Sequence, residues 1–109
     1  MSLWWKIGAL SGMSAVFLGA FGSHALRNRA SPRDLEVWET GCRYQMYHSL
    51  ALLFASHKSA LSSKLFLTGI VLFSGSLYLL VLTGEKKLGI VTPFGGLSLA
   101  AGWCALAFM

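Results

Sequence analysis

Residues 65–82 read LFLTGIVLFSGSLYLLVL and contain no charged side chain. An α-helix rises about 1.5 Å per residue, so a stretch of this length comes close to the ~30 Å hydrocarbon thickness of a bilayer. Backbone N–H and C=O groups find no water at that depth, and a helix satisfies them all within one segment. The stretch therefore reads as a transmembrane helix. Working outward, residues 7–26 and 88–109 form two further runs without a formal charge, each long enough to cross. A fourth apolar run, residues 44–56, is too short alone and crosses only as the continuation of the amphipathic segment before it.

Composition points the same way. The chain is 55% hydrophobic and only 12% charged, against about 25% charged in an ordinary soluble domain. That leaves too few charges to coat a soluble protein of this size. The expected fold is all-α: one integral membrane bundle of four transmembrane helices spanning residues 1–109, with helices over about 4–24, 32–57, 64–83 and 92–108 and an amphipathic first half to helix two. A secretory signal cleaved near residues 20–25 is the competing reading of the N-terminus. The lone Lys6 before the run, and a run longer than the usual 7–15 residues of a signal core, favour an uncleaved first helix.

Within helix one, Ser11, Ala15, Gly19 and Ser23 recur every four residues, with Gly8 and Gly12 beside them. Small residues at such spacing let a second backbone approach closely, so this stripe is the expected helix-packing face. Helix two starts with Ser31 as N-cap, Pro32 in the first turn and Asp34 as the third-position acid. Leu35, Trp38, Cys42, Gln45, Met46 and Ser49 then share one stripe, while Glu39 and Arg43 are spaced to pair elsewhere. Either the segment is one long helix, or it kinks near Gly41 with its first part flat on the membrane. Gly84 is the expected C-cap of helix three, Thr92 and Pro93 open helix four, and Gly95, Gly96 and Gly102 give helix four a thin face.

A net charge of +5 would suggest a nucleic-acid partner for a soluble protein. Here the nine Lys and Arg residues sit almost entirely between apolar runs and act as topological anchors, so no nucleic-acid partner is expected. Trp4, Trp5 and Trp103 would form an aromatic belt at one interface. Cys42 and Cys104 fall at opposite ends of their helices and towards opposite membrane faces, so no disulfide within one chain is expected, and no metal-type cysteine spacing occurs.

Antiparallel helices would bring His24, at the end of helix one, beside Arg43, Tyr44, Gln45 and His48 at the entry of helix two, just inside the membrane boundary and level with Ser23 and Thr92. Ionisable and polar groups within membrane segments are costly, which makes this cluster the candidate functional site. Two readings stand side by side: a hydrogen-bonded lock within the bundle, or a small-molecule, metal or haem site built on His24 and His48. No third strong ligand accompanies the two histidines. No Gly-x-Ser-x-Gly elbow is present, and helices three and four carry no charge to mark a transport path, so no enzyme is expected.

Three motifs carry a family resemblance: GAFGSHA at residues 19–25, WETGCRYQMYHSLALL at residues 38–53, and TPFGGL at residues 92–97 followed by Gly102 and Trp103. Together they resemble the transmembrane protein 256 family, a domain-of-unknown-function family found in bacteria and eukaryotes, over almost the whole chain. The resemblance implies a four-helix integral membrane protein and brings no established activity, cofactor or substrate. It implies the cytoplasmic membrane for a bacterial member and mitochondria or other membranes for a eukaryotic one; the lack of an Arg-rich, Ser-rich leader favours the bacterial membrane. The expected role is helix packing with itself or a partner membrane complex, stabilising an assembly or sensing lipids. The alternatives are ligand binding near His24 and His48, and an oligomeric small-solute permease.

With four crossings, Arg27, Arg29, Arg33, Arg43, Lys86 and Lys87 share one side while Lys6, Lys58 and Lys64 share the other. The positive-inside rule then puts both termini outside. Cysteine labelling in a background lacking Cys42 and Cys104 tests this: Ser2 and Ser59 should react from outside, Asn28 and Lys86 from inside. Finding Ser2 and Asn28 on one side removes the first crossing and the four-helix architecture with it.

Overall fold

The computed structural model describes residues 3–108; Ser2 and the two ends of the expected 1–109 unit lie outside the described residues. Four helices follow one another: α1 Leu3–His24, α2 Pro32–Ala55, α3 Ala60–Thr83 and α4 Thr92–Ala107. Among the described residues there is no strand. The Ser31 hydroxyl accepts from the Asp34 N–H at 3.1 Å and sets the start of α2. Gly84, with φ +73°, ends α3 in the left-handed conformation that costs glycine nothing. A 3₁₀ turn over Lys86–Ile90 leads into α4. The bundle is 44 Å long, matching the ~40–45 Å of a bilayer with its headgroups.

Helices α1, α3 and the Lys86–Ala107 segment are long and apolar enough to cross a membrane. α2 is more polar, yet it crosses beside them because it packs along the whole of α1. Near one end of the seam a Cβ on Gly8 would meet Leu53 Cδ2 at 3.0 Å; near the other, one on Gly22 would meet Trp38 Cδ1 at 2.5 Å. The buried face of α2 carries Trp38, Gly41, Gln45, His48, Ser49, Ala51, Leu52 and Ala55. Its polar members thus meet protein instead of lipid. α2 is continuous through Gly41, so the kinked alternative does not occur. Gly41 instead makes room for an aromatic ring: an added Cβ would lie 2.8 Å from Tyr78 Cε1.

α3 packs on α2 and on α4. Residues Ile70–Ser74 take π-helical geometry within it. Side chains four apart overshoot an ideal helical turn by about 40°, so a face built on steps of four drifts round the helix. The wider π turn takes up that drift, and Phe66, Ile70, Ser74 and Tyr78 all reach α2 or the core beside it. Across the other side of α3, Gly95 of α4 sits directly on the Phe73 and Leu72 backbone, where no Cβ could fit. The Ser62 hydroxyl donates to Gly102 O and the Ser98 hydroxyl to Leu65 O, both at 2.8 Å. Lipid tails are as apolar as leucine, so contacts and bonds of this kind hold the helices together. The core they surround consists of Ala51, Leu52, Ala55, Phe66, Ile70 and Leu99, with Trp4, Ile7, Phe73 and Leu106 against it.

The packing face of α1 differs from the expected stripe. Ala15 is buried and Ser11 half-buried, but Gly19 would find nothing within 4 Å of an added Cβ and Ser23 is exposed. The residues buried along the seam are Gly8, Ala15 and Gly22. Seven-residue steps return to the same face within about 20°, whereas three steps of four rotate by about 120°, which carries Ser23 off the interface that Ser11 occupies.

A paired substitution tests this face. Gly22→Ala drives a methyl into the Trp38 ring, which is 2% exposed and tied by its Nε1–H to Leu18 O at 2.8 Å. Overpacking should lower stability by about 1–3 kcal/mol. Gly19→Ala, with open space before it, should be neutral or slightly stabilising, because alanine favours the helix by about 1 kcal/mol. Equal thermal melts in detergent for the two variants would show that the seven-residue face is not the packing face.

Candidate functional site

The polar centre of the molecule is the Gln45 side chain, 5% exposed on the inner face of α2. Its Nε2 donates to Ser11 O at 2.9 Å and to Ser14 Oγ at 2.7 Å, both on α1. Its Oε1 accepts from Tyr78 OH of α3 at 2.6 Å. A carbonyl oxygen can only accept, so the contact with Ser11 O fixes which end of the amide faces α1. Around this group, Ser49 Oγ lies 2.7 Å from Ser11 Oγ and 2.6 Å from Gln45 O. The Ser74 hydroxyl donates to Gly41 O at 2.7 Å, and Ser76 and Thr92 share a hydrogen bond of 2.6 Å between α3 and α4.

His48 is the second element. Its Nδ1 lies 2.6 Å from Tyr44 O, and its Nε2 lies 3.0 Å from Trp103 Nε1 of α4. An indole N–H donates and never accepts, so Nε2 must be the acceptor and Nδ1 must carry the hydrogen. The ring is thus the neutral tautomer with both nitrogens engaged. The Tyr44 ring stacks on it at 5.8 Å between centroids, and Phe66 and Trp103 close the other sides. Trp103 is therefore a hydrogen-bond partner of α2, although it stays 47% exposed on the surface of the bundle.

The five residues of the expected cluster do not converge. Tyr44 stacks on His48, Gln45 turns to α1 and Tyr78 instead, and Arg43 points outward and pairs with Glu39 at 3.6 Å. His24 is exposed at the end of α1. Gln45 touches Ser11 and Ser14, so His24 lies at least about 15 Å further along the bundle, at 1.5 Å per residue. The connection joins His24 to the first turn of α2, near Ser31, while Tyr44–His48 lies three to four turns deeper. The cluster sits beside the middle of α1, not at the membrane boundary. Ser23 is likewise apart from it, and Thr92 pairs with Ser76 instead.

Ser14, Tyr78 and Trp103 are the members that sequence reasoning left out. Tyr78 had a signal: it is the phenol in an otherwise apolar run, and a buried phenol needs a partner. Among the described residues, no three His, Cys, Asp or Glu side chains gather as a metal site would require. Among the same residues no buried side-chain nitrogen or oxygen lacks a hydrogen-bond partner. The arrangement ties helices together, and among the described residues its buried side-chain polar atoms are all engaged.

Residues 18–96 match the family described as a protein of unknown function, DUF423. A UPF0382 membrane protein of Staphylococcus aureus is 47% identical over 113 aligned residues, covering 97% of this chain and 93% of its own length. The UPF0382 membrane protein YwdK of Bacillus subtilis is 42% identical, with 89% and 86% covered. A UPF0382 membrane protein of Schizosaccharomyces pombe is 41% identical, with 94% and 96% covered. No solved structure matches. Four antiparallel helices, three of them in segments long and apolar enough to cross a membrane, with relatives of this identity covered nearly end to end, make the chain an integral membrane protein of the DUF423 family, which in eukaryotes goes by the name transmembrane protein 256.

Proposed function

We propose that this protein is a non-catalytic unit of a bacterial cytoplasmic membrane that works by lateral helix packing, with a second copy or with a partner membrane protein. The observation that supports this reading most is the closure of the interior. Gln45 and His48, the groups best suited to meet a ligand, already spend their hydrogen bonds on Ser11, Ser14, Tyr78, Tyr44 and Trp103. On this reading Tyr44, Gln45 and His48 are a lock between helices. What remains for function is the outside of the bundle. The bacterial relatives favour the cytoplasmic membrane. Ligation of a metal or haem by His24 and His48 together would require the two rings to meet, and the placement of Gln45 on Ser11 and Ser14 speaks against it.

The lock reading is tested by a double-mutant cycle on Gln45→Leu and Tyr78→Phe. Interhelical hydrogen bonds in membranes couple by about 0.6 kcal/mol on average and up to about 1.7 kcal/mol, and the pair should fall within that range. His48→Ala should lower the melting temperature without changing bound metal or visible absorbance. The packing reading is tested by photo-crosslinking in intact membranes from residues on the outer faces of α1 and α4, where discrete protein adducts are expected. A metal or chromophore that leaves with His48→Ala, or solute flux through liposomes containing the protein, would overturn it.

A further inference from the structure

α2 has an outer face as well as an inner one, and its charges lie at the wrong depth for lipid. Gly41 O accepts from Ser74, near the middle of α3, and Gln45 bonds Ser11 and Ser14, near the middle of α1. Arg43 lies between Gly41 and Gln45, so it sits within about one helical turn, ~5 Å, of the bilayer midplane. Glu39 is one turn closer to the Arg27 side. Their side chains are 55% and 66% exposed in one copy of the chain. Charged groups at such depth face a bundle interior or another protein, because lipid offers them neither hydration nor partners.

Beside this ion pair a groove of about 470 Å³ runs along the α1–α2 seam, with Gly19, Ser23 and Arg27 on one wall and Leu35, Cys42 and Arg43 on the other. Gly19 presents bare backbone to it, with nothing within 4 Å of an added Cβ. Packing within the chain leaves Gly19 uncovered and Ser23, Arg27, Glu39 and Arg43 exposed. The small residues of the α1 wall admit a helix, and the charges that line the groove, Arg27, Glu39 and Arg43, have both signs.

We infer that this face is the interface between two copies of the chain, with Glu39 of each copy pairing with Arg43 of the other. This rests on the packing reading above and names its surface and partner. The argument for a second copy is self-complementarity. A two-fold axis along the membrane normal sets the same face of two copies against each other at equal depth, so Glu39 of each copy lies one helical turn, about 6 Å, from the level of Arg43 of the other, a step these two side chains already span within one chain. The copies run parallel, as membrane topology requires. Each ion pair would then be covered by protein, where carboxylate and guanidinium satisfy one another.

The experiment uses the full chain in liposomes at varied protein-to-lipid ratio, read by energy transfer between two differently labelled pools. Wild type should associate. Glu39→Arg, which leaves only positive charge on the face, and Arg43→Glu, which leaves Arg27 against two carboxylates, should each lose self-association by at least tenfold. Mixing the two variants should restore it, since each supplies what the other lacks. Both positions are exposed, so thermal melts of the variants in detergent should match wild type and exclude misfolding. Association that survives in both single variants, or a mixture that fails to recover, overturns the inference. Wild type that stays monomeric at every ratio also overturns it. If such a monomer still forms an adduct with a different membrane protein in cells, the broader packing reading stands while this interface does not.

Discussion

The arrangement of the bundle depends on one carboxamide. A buried amide in a hydrocarbon setting costs several kcal/mol if its hydrogen bonds go unmade. Gln45 meets that demand by facing two ways: its donors reach α1, and its acceptor reaches α3. Because the two ends of an amide are chemically distinct, neither neighbour can slide by a turn without leaving the group unpaired. The register it sets places Gly22 under the Trp38 ring and lets the Trp38 indole N–H donate to Leu18 O. Tyr78, which completes the amide, also packs on Trp38 at 4.7 Å between rings. One polar contact thereby fixes three helices, and van der Waals packing follows its lead.

The π turn in α3 belongs to the same constraint. Tyr78 must face α2 to reach Gln45, and Phe66 must face it to enter the core, three steps of four residues away. An undistorted helix would turn by roughly 120° over those steps and aim one of the two at lipid. Widening the turn at Ile70–Ser74 keeps both on station. The wide turn also lies where Gly95 approaches the Leu72 and Phe73 backbone, so α4 comes close where α3 departs from ideal geometry.

How far the sequence discloses this can be argued residue by residue. The fold class is legible because an uncharged stretch such as residues 65–82 has one stable answer in a bilayer. The Ser31 cap and the Gly84 stop are legible because they rest on local chemistry. The α1 face is half legible: small residues mark it, but counting in fours selects Gly19 and Ser23, while the helix repeats in sevens and buries Gly8 and Gly22. The polar cluster is legible in membership for Tyr44, Gln45 and His48 and misleading in depth. A short connection says which helix ends are neighbours, not which middles are. Tyr78 and Trp103 escape a search for charge, since a phenol and an indole complete a polar network without carrying any.

α2 is the least apolar of the four helices, and its two faces explain why in different terms. The inner face spends uncharged polar groups on neighbours and is complete: Gln45, His48 and Ser49 are each at most 5% exposed. The outer face changes character along its length, with Glu36, Glu39 and Arg43 in one half and the exposed Tyr47, Leu50 and Phe54 in the other. The apolar half suits lipid tails; the charged half at similar depth does not. Glu36, near the start of α2, lies within reach of the headgroups and the basic connection after α1. Arg43 has no such outlet, because its level is that of Ser74 and of the middle of α1, and its partner Glu39 lies one turn nearer the Arg27 side. A chain whose interior is satisfied and whose surface is not has its unmet requirement on the outside. Covering that part of α2 would complete for the surface what Gln45 completes for the core.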